Sequence, residues 1–108
     1  MTEFEDQLAT SFEIIAAVGT ARSSYINAIR LAKNGDFDAA NAAIEEGKQL
    51  YAKGHDAHFG LIQREAAGTP TAMCLMLTHA EDQLMSAEGF GILAEEFVDL
   101  YRLVHEKD

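Results

Sequence analysis

The stretch Leu75-Met76-Leu77-Thr78-His79-Ala80-Glu81-Asp82-Gln83-Leu84-Met85 decides the fold. Alternating steps of three and four residues from Met76 trace one stripe of a helix, because residues at that spacing share a helix face. The stripe is polar in its first half and apolar in its second, and it comprises Met76, His79, Gln83, Ser86, Phe90, Leu93, Phe97, Leu100 and Val104. The spacing predicts a helix over roughly residues 70–106, with an imidazole on the buried side where the pattern calls for leucine.

This third helix is apolar over most of its circumference. One flanking stripe reads Met73, Leu77, Ala80, Leu84, Ala87, Gly91, Ala94, Val98 and Tyr101, and another reads Leu75, Thr78, Asp82, Met85, Gly89, Ile92 and Glu96. The residues predicted to face solvent are Cys74, Glu81, Glu88, Glu95 and Arg102. Two partner helices cannot cover such a helix. The pattern therefore predicts self-association with the third helices inside, through the cyclic closure usual for oligomers, and it leaves the number of chains open.

Two turn signals divide the chain into three helices. Asn34-Gly35-Asp36 predicts the end of a first helix, roughly 3–33, and Asp36 as the N-cap of a second, roughly 37–66. Gly68-Thr69-Pro70 predicts the end of the second helix, Thr69 as the next N-cap and Pro70 as the first residue of the third helix. The predicted contact stripes are Leu8, Phe12, Ile15, Gly19, Arg22, Ile26 and Ile29 in the first helix, and Phe37, Ala40, Ile44, Gly47, Tyr51, Gly54, His58, Leu61 and Glu65 in the second. The expected fold is an all-α, antiparallel three-helix bundle forming a single domain over residues 1–108.

The charge balance excludes several classes of partner. With 18 acidic and 8 basic side chains the net charge is −10, which disfavours nucleic acid and anionic membrane surfaces, because both require Lys and Arg. The single cysteine, Cys74, excludes an internal disulfide and fits a reducing compartment. No run approaches the roughly 18 apolar residues of a membrane span, and the acidic residues 1–6 do not look like a signal peptide. We expect a cytoplasmic protein without direct membrane insertion.

His79 and Asp82 are the candidate chemical residues, since residues three apart lie on adjacent parts of one helix face. An imidazole can serve as nucleophile, acid–base group or metal ligand, and the carboxylate can orient it or bind a cation. In a closed oligomer the Asp82 carboxylates meet near the axis, which is costly unless they are protonated or joined by a metal. From the residues alone, a hydrogen-bonded interfacial histidine is the commoner interpretation. A zinc site lacks a ligand set, and a triad with Ser86 lacks an oxyanion hole.

Other polar residues on apolar stripes have less specific interpretations. His58 lies on the second-helix stripe with His55 beside it, so either is a core polar group or lines a cleft against the third helix. His105, near the end of the third helix, is interpreted as structural, because a cation there favours the helix dipole. Arg22 interrupts the first-helix stripe. It either pairs with a buried carboxylate such as Glu65, which we favour, or holds a phosphate near the third-helix imidazole.

Taken together, these residues resemble the IIA component of the lactose/cellobiose (and chitobiose) family of the bacterial phosphoenolpyruvate-dependent sugar phosphotransferase system. The resemblance runs almost end to end. The matching pieces are Gly19-Thr20-Ala21-Arg22-Ser23, Ala32-Lys33-Asn34-Gly35-Asp36-Phe37, His55, Leu61-Ile62-Gln63-Arg64-Glu65-Ala66, residues 79–85 and Leu100-Tyr101. Residues 79–85 are the most specific, because His-Ala-Glu-Asp-Gln-Leu-Met stands where the family pattern reads roughly His-Ala-Gln-Asp-His-Leu-Met.

The resemblance implies a phosphotransferase component that forms a homotrimer through its third helix. It implies that His79 is transiently phosphorylated by the histidine phosphocarrier HPr. The phosphoryl group then passes to a cysteine of the cognate IIB protein, which works with a membrane IIC component in disaccharide uptake. The resemblance also implies that Asp82 from three chains binds one Mg²⁺ per trimer, a cation that prefers oxygen ligands.

The chain departs from the family pattern at Gln83, Glu81 and His58-Phe59, where the family has His, Gln and Gln-Thr. Gln83 can still hydrogen-bond to a phosphate oxygen, although it cannot carry charge. These departures leave a second hypothesis open: a non-catalytic helical regulatory or interaction module that has kept the trimer and lost the relay. A metal-binding helical oligomer with no phosphoryl role is a third. The sugar is left open, because the membrane partner recognises it.

Overall fold

The computed structural model describes residues 2–107 and consists of three long helices. Helix α1 spans Glu3–Lys33, α2 spans Phe37–Ala66 and α3 spans Leu75–Glu106. The first half of α1 packs with the second half of α2 and the first half of α3, so α1 and α3 are parallel and α2 is antiparallel to both. The bundle measures 59 × 22 × 19 Å. The predicted all-α three-helix protomer is confirmed.

Local capping fixes the first two helices where the sequence predicts them. α1 begins with a capping box: Glu5 N donates to the Thr2 hydroxyl at 3.1 Å, and Thr2 N donates to the Glu5 carboxylate at 3.4 Å. At the first turn Gly35 has a φ of +85°, which glycine adopts without steric cost. Ala39 N donates to the Asp36 carboxylate at 3.3 Å. The predicted N-cap at Asp36 is therefore confirmed.

The third helix begins at Leu75, five residues after the predicted start at Pro70. Thr69 does not cap it, because the Thr69 hydroxyl and N–H both donate to the carbonyl of Arg64, at 3.1 and 3.0 Å. Cys74 occupies the N-cap position and makes no side-chain capping bond. The predicted cap at Thr69 is wrong for a physical reason: that side chain satisfies the end of α2.

Small residues line the stripes that pack inside the bundle. α1 buries Gln7, Ser11, Ile14, Val18, Ala21, Tyr25, Ala28 and Ala32, and α3 buries Leu77, Ala80, Leu84, Ala87, Gly91, Ala94 and Val98. The predicted α1 stripe is therefore one position off, and its Phe12 is 54% exposed. The predicted α2 stripe is confirmed in its first two-thirds by buried Ala40, Ile44, Gly47 and Gly54, whereas Glu65 is exposed.

The ring of Tyr25, from the second half of α1, packs between α2 and α3. Tyr25 is 3% exposed. A Cβ atom at Gly47 would lie 2.7 Å from Tyr25 Cδ1 and closer still to Cε1, and a Cβ at Gly91 would lie 2.8 Å from Cζ. Real carbon–carbon contacts lie near 3.5–4.0 Å, so the ring requires glycine on both facing helices.

The outer face of α3 carries large apolar side chains that one protomer leaves exposed. They are Leu75, Met85, Ile92, Leu93, Phe97, Leu100, Leu103 and Val104. Monomeric proteins rarely expose apolar patches of this extent. The buried stripe of α3 is the flanking one through Leu77, and the stripe through His79 faces outward. Within residues 2–107, none of the helices combines the length and apolar character needed to cross a membrane.

Candidate functional site

His79 lies in the second turn of α3 with its side chain exposed. The imidazole stands at the rim of an apolar groove of about 620 Å³ between the beginnings of α1 and α3. The groove is lined by Phe4, Leu8, Cys74, Leu75, Met76 and His79. The interpretation of His79 as a buried-side residue is therefore wrong for the protomer, because the neighbouring stripe points into the bundle. The exposed ring is accessible to a docking macromolecule.

Arg22 reaches from α1 to the α3 residue one turn after His79. Its guanidinium Nη2 donates a hydrogen bond to Gln83 Oε1, and both side chains are half-buried. The favoured pairing of Arg22 with Glu65 is wrong, because Glu65 lies on the exposed end of α2. The fold thus gathers a cation, an amide and the candidate imidazole at one place on the α1–α3 edge.

Asp82 is exposed on the outer face of α3. Its helix stripe also carries Leu75, Met85 and Ile92, which are 87%, 72% and 60% exposed. Among the residues that the structure describes, no three His, Cys, Asp or Glu side chains of one chain come together as a metal site. A single protomer therefore offers one exposed carboxylate here, beside the apolar Met85 and the polar His79 and Ser86.

The line of α3 residues predicted to face solvent lies instead along α2. Its last four members each meet an α2 side chain: Glu81 meets His58, Glu88 meets Tyr51, Glu95 meets Lys48, and Arg102 lies over the ring of Phe37. Long charged side chains at the edge of a helix contact can reach across it while their heads stay near water. Glu88 is exposed as predicted, whereas Glu81, Glu95 and Arg102 are half-buried, so the predicted line borders α2 and is only partly solvated.

The His58–Glu81 pair places His58 against α3, which agrees with one of its two predicted positions, but its partner Glu81 was expected to face solvent. His58 Nε2 lies 2.6 Å from Glu81 Oε2, and the two side chains are 18% and 36% exposed. The spacing held the signal, because Tyr51 and His58 on α2 repeat by seven, as do Glu81 and Glu88 on α3. Glu81 follows His79 by two residues and so points to nearly the opposite side of the helix. This pair braces α2 against α3 away from the exposed imidazole.

The other histidines lie outside the site. His55 is exposed and stacks on Phe59, with ring centroids 6.3 Å apart and planes inclined by 7°, so it does not line a cleft against α3. His105 Nε2 donates to the carbonyl of Lys33 at 3.1 Å, and its ring packs edge-on against Phe37. The structural interpretation of His105 is consistent with these contacts.

Comparison with known proteins gives concordant results. Residues 9–102 match the sequence pattern of the family described as "PTS system, Lactose/Cellobiose specific IIA subunit". The oligo-beta-mannoside-specific EIIA component of Bacillus subtilis strain 168 is 42% identical over 92 residues, which cover 85% of this chain and 84% of that protein. The lichenan-specific phosphotransferase enzyme IIA component of the same organism is 38% identical over 96 residues, which cover 89% of this chain and 87% of that protein.

A solved structure extends the likeness to three dimensions. The crystal structure of the PTS cellobiose-specific enzyme IIA from Bacillus anthracis superposes with a TM-score of 0.93 at 35% sequence identity, covering 100% of this chain and 96% of that one. The likeness therefore includes the path of the backbone through all three helices and the link that places α3.

Proposed function

Since the chain belongs to the lactose/cellobiose-specific IIA family of the phosphotransferase system, we propose that it is a cytoplasmic phosphocarrier with His79 as the phosphoryl acceptor. The observation that carries the proposal is the exposed imidazole at the rim of an apolar groove, within the His79–Met85 segment that matches the family. Phospho-HPr is the donor, and a cysteine of the cognate IIB protein is the acceptor. A membrane IIC component then uses the phosphoryl group in sugar uptake.

The transfer to His79 needs no net movement of protons. The neutral imidazole attacks phosphorus through the lone pair of its unprotonated nitrogen and keeps its proton on the other nitrogen. The P–N bond in the donor breaks, and its electron pair returns to the donor imidazole, which leaves neutral when its other nitrogen is protonated. In the second transfer, the cysteine thiolate of IIB attacks phosphorus, and the P–N electron pair returns to His79. Catalysis consists largely of positioning and electrostatic support.

The surroundings of His79 suit a group that must survive between two encounters. The apolar side chains of the groove give a docking partner a surface from which water is expelled, and exclusion of water protects a reactive intermediate. Gln83, one turn later on the same face, has an amide that can donate to a phosphoryl oxygen. The related proteins are named for oligo-beta-mannoside and lichenan, so β-linked oligosaccharides are the sugar class to examine first.

Assembly as a homotrimer through α3 forms part of the proposal. It is supported by the row of exposed apolar side chains on the outer face of α3, because burial of apolar surface is the main favourable term in most protein association. Asp82 lies within this face, so association would bring like carboxylates together and away from bulk water, which is costly. Oxygen donors from Asp82 of three subunits fit a Mg²⁺ ion. The ion would supply the positive charge that makes their approach favourable.

The decisive experiment measures intact mass after incubation with phosphoenolpyruvate, enzyme I and HPr. We expect one acid-labile phosphoryl group per chain in the wild type and none in His79→Gln. His55→Gln is the matched control, because His55 is also exposed but lies on α2. Phosphate retained by His79→Gln would refute the assignment of the acceptor. No transfer to the wild type, with the relay active on another IIA protein, would favour a helical interaction module.

A further inference from the structure

Arg22 is directed toward the His79 end of α3 by the register of the two helices. α1 and α3 are parallel, and the Tyr25 ring packs against Gly91, so residue 22 lies level with about residue 88. Its guanidinium nevertheless bonds to Gln83. At a rise of about 1.5 Å per residue, the side chain therefore reaches back by roughly 7 Å toward the start of the helix. Helical side chains lean in that direction.

The hydrogen bond determines which way the Gln83 amide faces. An arginine guanidinium has donors only, so its partner atom must be the amide oxygen Oε1. The amide nitrogen Nε2 is then held on the side away from Arg22 with its N–H groups available. Without Arg22, the two ends of the amide could exchange, and the carbonyl would face the site for part of the time.

We propose that Arg22 is a positioning residue that holds the Gln83 amide with its N–H groups toward a phosphoryl group on His79. The inference rests on the proposed phosphocarrier function and goes beyond it by assigning a role to an α1 residue. Residues four apart on a helix have Cβ atoms about 5–6 Å apart, and the Gln83 side chain leans toward the turn that carries His79. The same guanidinium brings positive charge to the phosphorylated state.

Three substitutions separate positioning from support of the fold. Arg22→Met roughly keeps the length of the side chain but has neither donor nor charge, whereas Arg22→Lys keeps the positive charge and a donor group. Gln83→Glu keeps the acceptor for Arg22 and strengthens that bond, but it has no N–H group for phosphate. Arg30→Gln is the matched control, since Arg30 is an exposed cation two turns later on α1.

The readouts are the equilibrium between phospho-HPr and each protein by intact mass, the ³¹P chemical shift of phospho-His79 and the rate at which it hydrolyses. We expect Arg22→Met and Gln83→Glu to lower the equilibrium constant about tenfold, the worth of one hydrogen bond to a charged group. Both should move the ³¹P shift. Arg22→Lys should stay within about threefold of wild type, and Arg30→Gln should equal it. Melting temperatures verify that each variant is folded.

The outcomes distinguish this inference from the proposed function. If the wild type takes phosphate and Gln83→Glu matches it in equilibrium constant and ³¹P shift, positioning by Arg22 is overturned while the carrier role stands. A drop for Arg22→Met that is matched by Arg22→Lys would also overturn the role assigned to the donor. If the wild type takes no phosphate, the function and this inference both fail.

Discussion

The ring of Tyr25 between two glycines allows one substitution to be worked out in detail. In Gly47→Ala the new Cβ would lie 2.7 Å from Tyr25 Cδ1, roughly 1 Å inside an ordinary contact. The ring has little room to move away, because it packs so closely on Gly91 that a Cβ atom added there would lie 2.8 Å from Tyr25 Cζ. Overpacking of this kind costs roughly 1–3 kcal/mol. Because the ring is confined on both sides, we expect a cost near the upper end of that range. Alanine returns about 1 kcal/mol of helix propensity, so the net destabilisation is about 2 kcal/mol.

Gly60→Ala on the same helix is the matched control. Nothing lies within 4 Å of a Cβ at Gly60, so only the propensity gain remains, and we expect about 1 kcal/mol of stabilisation. At about 4 °C per kcal/mol for a chain of this size, the two variants should melt about 12 °C apart. The assay is thermal unfolding by circular dichroism at one fixed protomer concentration, because association raises apparent stability. Gly47→Ala melting at or above the wild-type temperature would refute the reasoning from the Tyr25 contacts.

Three further predictions concern the α2–α3 contact, alkaline pH and metal. Glu81→Ala should lower the free energy of unfolding by about 1–2 kcal/mol in urea titration, because it leaves the partly buried His58 without its partner, and phosphorylation should be unchanged. Burial raises the pKa of Tyr25 above its ordinary value of 10.0. The stability that follows from this shift is present below pH 10 and is lost as the pH rises through the folded-state value, so stability should fall less steeply above pH 10 in Tyr25→Phe than in the wild type. Asp82→Asn should associate equally well with Mg²⁺ or chelator by light scattering, whereas the chelator should weaken association of the wild type about tenfold.

Each of these has a control or a contrary result. The exposed Glu96 supplies the control for Glu81, and an equal loss of stability in Glu96→Ala would show that charge alone was responsible. Parallel wild-type and Tyr25→Phe profiles above pH 10 would remove the phenol from the account of alkaline unfolding. A wild-type oligomer indifferent to chelation would contradict the role proposed for Asp82.

The parts of the fold that are set by residues close together in the sequence, such as helix caps and turns, could be predicted from the sequence. The Asp36 cap of α2 is predictable because the carboxylate and the N–H that it accepts from lie only three residues apart. The end of α1 and the start of α2 are predictable for the same reason. The same local reasoning is wrong for Thr69, since a hydroxyl between two helices can either cap the N-terminus of the next helix or bond to a carbonyl at the end of the preceding one. Only the folded chain reveals that it bonds to the carbonyl of Arg64.

The predicted α1 stripe is one position off because the larger apolar side chains of α1 are not the ones that this bundle buries most completely. Phe12 and Ile15 are the more apolar residues, but Ser11 and Ala21 are the ones that allow helices to approach closely. In the site, the sequence identified His79, Asp82 and Gln83 as a group on α3. The partner of Arg22 could not be predicted, because it depends on the relative register of α1 and α3, which no short-range pattern encodes.

The length of the segment between α2 and α3 bears on which copy of the chain α3 packs against. Residues 67–74 lie between the ends of the two helices, and eight extended residues can span about 26 Å. Packed helices lie only about 8–10 Å apart, so the link is longer than the gap it bridges. The link is also shorter than the roughly 45 Å length of the 30-residue helix α2, so α3 must begin near the end of the bundle where α2 stops. Its length does not require α3 to pack on the α1 and α2 of its own chain rather than those of a neighbour, so exchange of α3 between copies is sterically open.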